Sequence, residues 1–106
     1  MATGKLGSGD LAATTLTTVY TCPADTFTVA SVSFCNRGNS AVAVRLALAN
    51  ADSPTDDEYL EYDVEILGKG VLERTGIVLN ATEKLVVYSS AANVSVVAFG
   101  IETATA

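Results

Sequence analysis

The stretch Ala41-Val42-Ala43-Val44-Arg45-Leu46-Ala47-Leu48-Ala49 is followed, after a polar loop, by Glu58-Tyr59-Leu60-Glu61-Tyr62-Asp63-Val64-Glu65-Ile66. In both, apolar residues recur at every second position, the repeat of an extended strand with one face buried. In the first, Val42, Val44, Leu46 and Leu48 share a face, and Ala41, Ala43, Arg45, Ala47 and Ala49 share the other. A row of alanines is not a typical solvated surface. It predicts close packing against another element or another subunit. In the second, Leu60, Tyr62, Val64 and Ile66 read as core, while Glu61, Asp63 and Glu65 read as a solvated acidic face.

Working outward, β-branched and aromatic residues fill segments 14–21, 26–35, 71–75, 76–79, 84–89 and 94–102. Turn-forming clusters separate them: Cys22-Pro23-Ala24-Asp25, Asn36-Arg37-Gly38-Asn39-Ser40, Gly68-Lys69-Gly70, Asn80-Ala81-Thr82-Glu83 and Ser90-Ala91-Ala92-Asn93. About seven or eight short strands at this spacing predict an all-β fold, a single antiparallel β-sandwich of jelly-roll-like or Ig-like form. Within 26–35 the apolar positions change phase, from Phe27 and Val29 to Val32 and Phe34. A bulge does this, and so does burial of both faces. Residues 1–13, rich in Gly, Ala, Ser and Thr, read as a flexible N-terminal arm. The sandwich is assigned to 14–102 and a C-terminal tail to 103–106.

Of the 106 residues 49% are hydrophobic and 17% charged, which argues against disorder. Net charge is −6, so no basic patch is available for nucleic acid or for an anionic membrane. No apolar run approaches the ~20 residues that span a bilayer. The first ten residues hold no hydrophobic segment, so no secretory signal is expected there and Cys22 and Cys35 are expected as free thiols in a reducing cytoplasm.

Chemistry-bearing patterns are scarce. There is no His, and two thiolates alone do not complete a tetrahedral metal shell. Asp56, Asp57, Glu58 and Glu61 fall on a loop and a solvated strand face, where surface charge is the expected role. The acidic loop around them lacks the spaced ligands and turn Gly of a calcium loop, and Pro54 interrupts it. Ser89 and Ser90 have no base partner in sequence, and Gly4, Gly7 and Gly9 precede no helix. Asn80-Ala81-Thr82 and Asn93-Val94-Ser95 read as turn asparagines. The expectation is therefore a non-enzyme with no catalytic, cofactor-binding or metal-binding residues. Few Lys and Arg among many Thr, Ser, Ala and Val suit a surface that packs on other proteins.

At four places the sequence resembles small virion structural proteins of tailed bacteriophages. These are Val19-Tyr20-Thr21-Cys22-Pro23-Ala24, then Val32-Ser33-Phe34-Cys35-Asn36-Arg37 with the strand 42–48 after it. Next come Leu72-Glu73-Arg74-Thr75-Gly76-Ile77-Val78-Leu79 with Glu83-Lys84-Leu85-Val86-Val87, and last Val94-Ser95-Val96-Val97-Ala98-Phe99-Gly100-Ile101-Glu102. Asp25 stands where that group usually has Gly after Pro-Ala. The resemblance implies a β-sandwich that assembles on a phage particle and brings no catalytic residues. The leading expectation is a capsid decoration or cement protein. It would be made in the host cytoplasm, dock on the major capsid protein of the head shell as a homotrimer, and stabilise the shell. A tail, baseplate or fibre-associated module is the second expectation.

Lys5 and Leu6 in the arm are candidates for the particle contact. Arg45 is a candidate for a subunit contact, because a charge within an alanine face needs a partner. A receptor- or carbohydrate-binding module is a third expectation. It would stack sugars on tyrosines from the set Tyr20, Tyr59, Tyr62 and Tyr88, of which Tyr62 falls with the apolar positions.

Overall fold

Alternating patterns of this kind form stable sheets only when each apolar face meets another, and two sheets placed face to face meet that need. A computed structural model describes residues 3–105 and shows this arrangement. Eight strands form among the described residues: β1 (Thr3–Leu11), β2 (Thr17–Thr21), β3 (Thr26–Asn36), β4 (Val42–Ala49), β5 (Tyr59–Ile66), β6 (Val71–Leu79), β7 (Lys84–Ser89) and β8 (Val94–Ala104). A short 3-10 turn, Asp56–Glu58, leads into β5. One sheet, here sheet A, has the order β1-β8-β3-β6, and the other, sheet B, has the order β2-β7-β4-β5. All pairings are antiparallel. This is the strand order of a jelly roll, an eight-stranded double sheet, and it decides between the two sandwich forms the sequence left open. Among the described residues no helix is long and apolar enough to cross a membrane.

The core lies between the sheets. Sheet A contributes Ala30, Val32, Phe34, Ile77, Val94, Val96 and Ala98, and sheet B contributes Val44, Leu46, Leu85 and Val87. Phe34 is fully buried, and burial of such a ring contributes roughly 2–3 kcal/mol. Polar side chains that point inward are satisfied. The Asn36 Nδ2 donates to the carbonyls of Ser40 (2.8 Å), Ile66 (3.1 Å) and Leu67 (3.2 Å). Tyr20 and Thr28 share a hydroxyl–hydroxyl bond of 2.8 Å, and Tyr20 donates to Glu102. No buried side-chain nitrogen or oxygen among the described residues lacks a partner.

Several boundaries differ from the sequence reading. Residues 3–11 are not an arm: they form β1 and pair along β8 from Thr3↔Ile101 to Leu11↔Val94. The glycines that suggested looseness serve close approach instead. A Cβ on Gly7 would lie 2.1 Å from the Val19 carbonyl oxygen of β2, where the two sheets meet at the sandwich edge. Leu11 is buried in the core. The tail is likewise shorter than expected, because Thr103 and Ala104 extend β8 against Phe27 and Thr26. Met1, Ala2 and Ala106, which fell in the arm and tail, lie outside the described residues. Segments 71–75 and 76–79 are one strand, with a bulge between Arg74 and Ile77. Asp25, where the resembling group has Gly, has a φ of 53°, the left-handed conformation that Gly adopts most easily.

Candidate functional site

The phase change in β3 has a simple cause. The strand runs without a break, and Thr26, Thr28, Ala30, Val32, Phe34 and Asn36 all face the core. The bulge sits in its neighbour β6. Phe27 and Val29 are therefore on the outer surface, where Val29 is 44% exposed. Cross-strand pairing extends this surface. Val29 lies between Val78 of β6 and Ile101 of β8, which in turn pairs with Thr3 of β1. Val78 and Ile101 are 53% and 56% exposed.

Neither central strand of sheet A carries a charge on this side. From β3 the outward residues are Phe27, Val29, Ser31, Ser33 and Cys35. From β8 they are their partners Thr103, Ile101, Phe99, Val97 and Ser95. Charge appears only on the flanking strands, as Lys5 and Asp10 on β1 and Glu73 on β6. Asp10 is bonded to Arg37, whereas Lys5 and Glu73 make no ion pair among the described residues. Depletion of charge with retention of aromatic and aliphatic side chains is the composition of an interface centre. An exposed apolar patch of this extent marks an interaction surface more often than a chance arrangement.

The outer face of sheet B is built differently. Two consecutive residues of β5, Tyr62 and Asp63, lie opposite Arg45, because the register shifts between Val44 and Leu46. Asp63 takes a φ of 53° to make this bulge. Arg45 is held on three sides. Its Nε donates to Asp63 Oδ1 at 2.6 Å, and its guanidinium carbon lies 4.2 Å from the Tyr62 ring centre and 4.4 Å from that of Tyr88. The Asp63 hydrogen bond raises the Arg45 pKa above its already high usual value. Tyr59 meets Tyr62 edge-on at 5.0 Å.

The alanine face is also closed from within. Ala47 and Ala49 are buried with Val86, and Tyr59 packs on them. The loop after β4 doubles back across the sheet, and Asp52 accepts from Thr18 of β2 at 2.6 Å and sits 3.9 Å from Lys84 of β7.

The three residues singled out from sequence therefore separate. Lys5 is exposed on the outer face of sheet A beside Phe99. Leu6 lies in the β1 bulge, half-buried against the core. Arg45 has its partners, Asp63, Tyr62 and Tyr88, within its own chain, which removes the reason for seeking one in another subunit. Tyr62 is not a core residue: it is 56% exposed on the outer face of sheet B. Tyr20 is the buried tyrosine, and burial and the Glu102 carboxylate together hold its pKa well above the usual tyrosine range.

Two crevices lie among the described residues. One, of about 150 Å³, opens between the sheet edges and is lined by Leu48, Leu60, Arg74, Thr75, Gly76, Ile77 and Val78. Its one titratable side chain, Arg74, is paired with Glu61 at 3.2 Å. The other, of about 240 Å³, is lined by Asn36, Asn39, Asn93 and small residues. Neither brings an acid and a base together. Within the acidic loop Glu58 accepts from the amides of Thr55 (2.9 Å) and Asn50 (3.1 Å). No three His, Cys, Asp or Glu side chains converge on a metal position among the described residues. Cys22 is buried beside Thr28, Cys35 is half-buried on the outer face of sheet A, and both are free.

The feature that sequence reasoning missed is the uncharged outer face of sheet A. Its signal was available, as the phase change at Phe27 and Val29. Comparison of the chain with protein-family models, with curated proteins and with solved structures gave no match.

Proposed function

We propose that this domain is a virion structural protein of a tailed bacteriophage, a capsid decoration or cement protein that works by docking and not by catalysis. The observation that carries the docking reading is the outer face of sheet A, free of charge along both central strands and with Val29, Val78 and Ile101 about half exposed. The phage setting rests on the four segments that resemble virion structural proteins. The jelly roll is compatible with this reading but does not choose it, since the fold serves capsid and lectin domains alike.

Particles made without the protein are expected to lose resistance to heat and osmotic shock, and added protein is expected to restore it. Val29→Asp is expected to abolish co-sedimentation with particles while leaving the fold intact. Unchanged resistance in particles lacking the protein argues against cementing. Labelled protein found in a few copies at the tail would move the assignment to a tail or baseplate component.

One observation favours a second reading. Tyr62 stands exposed beside Tyr59, and exposed tyrosine rings offer sugars a stacking platform. A glycan array with no binding removes it.

A further inference from the structure

We infer that the outer face of sheet A is occupied by a second copy of this chain, packed face to face about a twofold axis parallel to the strands. The inference rests on reading that face as a docking surface and names its occupant; the particle then binds the pair of chains, so that Val29→Asp weakens particle binding by breaking the pair.

Symmetry and charge carry the argument. A twofold axis along the strands, midway between β3 and β8, lays β3 of one copy on β8 of the other and β1 on β6. Residues at the same height then meet. Val29 faces Ile101 of the second copy, and Phe27 faces Thr103, so the apolar row is complementary to itself. Lys5 lies at the height of the Ser31–Phe99 pair, and Glu73 at that of Ser33–Val97, one residue pair along. That offset is about 7 Å, within reach of two long side chains across sheets stacked ~10 Å apart. The two flanking charges without an ion pair in the chain are thus opposite in sign and brought together twice by one operation. Every other flanking charge on this face is neutralised already, as Asp10 is by Arg37.

The size also fits. Four strands and five residue pairs cover roughly 20 Å by 30 Å, or about 600 Å² in projection, near the ~800 Å² that each partner gives to a stable interface. A self-complementary match of this kind is the isologous contact of the commonest oligomers. It predicts two chains, where sequence analysis expected three.

The test is solution mass by sedimentation equilibrium, with circular dichroism on each variant to confirm folding. The wild type is expected at twice the chain mass of 10.9 kDa. Val29→Asp places an unpaired charge at the centre and is expected to weaken association about 100-fold or more. Lys5→Glu and Glu73→Lys, each alone, set like charges together and are expected to weaken it about tenfold. The double variant, Lys5→Glu with Glu73→Lys, is expected to restore wild-type association. A wild-type monomer or trimer overturns the pairing, and so does a dimer indifferent to Val29→Asp. A double variant as weak as either single one overturns this register. Loss of particle binding by Val29→Asp in a protein that is monomeric throughout would leave the docking reading standing and refute only the pairing.

Discussion

The two outer faces of the sandwich have opposite economies of polar groups. On sheet B Arg45 is held by Asp63 and two tyrosine rings, and Tyr59 packs on the neighbouring alanines. On the outer side of sheet A the central strands carry no charge, and the residues there are Phe, Val, Ile, Ser, Thr and Cys. Sheet B closes its surface with its own chain. Sheet A leaves its surface open.

The largest expected effect tests whether the sheet A face depends on its underlying backbone. A Cβ at Gly100 would fall 2.0 Å from the Val29 carbonyl oxygen. Gly100→Ala is expected to lower stability by about 3 kcal/mol or more, read by chemical denaturation. Gly76 has a φ of 72° but open space where a Cβ would go, so Gly76→Ala is expected to cost only about 1–2 kcal/mol of backbone strain.

Next comes Tyr20, which links sheet B to sheet A through Thr28 and Glu102. In the folded protein its phenol stays protonated above the pH at which the unfolded chain ionises, near 10. Its contribution is therefore complete below about pH 10 and falls as pH rises beyond it. Tyr20→Phe is expected to cost about 1–2 kcal/mol at neutral pH and to flatten the alkaline loss, followed by urea unfolding across pH 8–11.

A crossed pair of substitutions separates the faces most directly. Arg45→Ala is expected to lower the thermal midpoint and leave self-association unchanged, and Arg45→Lys to restore little, since an ammonium cannot stack as a planar guanidinium does. Val29→Ser is expected to do the reverse, changing stability by less than about 0.5 kcal/mol while weakening assembly. If both substitutions affect both readouts, the division between the faces is wrong. The smallest effect is a gain. Thr82 is β-branched at a φ of 72°, and Thr82→Asn is expected to add about 0.5–1 kcal/mol in thermal unfolding.

Much of the fold was legible because its strands bury one side. The alternation in 42–49 and the breaks at Pro23 and Gly68 gave element type and rough limits. The errors share a physical origin, since each involved a local pattern overridden by a distant partner. β1 looked like an arm because its composition is poor in β-formers, and only pairing with β8, some ninety residues away, makes it a strand. Tyr62 looked like core because perfect alternation was assumed through a bulge. Arg45 looked unpaired because Asp63 is brought to its side by that same bulge. The candidate site was recorded in the sequence only as an irregularity at Phe27 and Val29, whose meaning needed the register of three strands.

The place of β8 between β1 and β3 has a consequence for how the protein is made. The strand that joins the two is the last of the eight to be made. About 80 residues separate the end of β1 from the start of β8, which is roughly 4–16 s of translation at ~5–20 residues per second. Throughout that interval the first strand has an open edge and no ladder partner. The β3–β6 pair can form earlier, but sheet A closes only when β8 is made, so nascent chains stalled before Val94 hold β1 and one edge of β3 without a ladder partner.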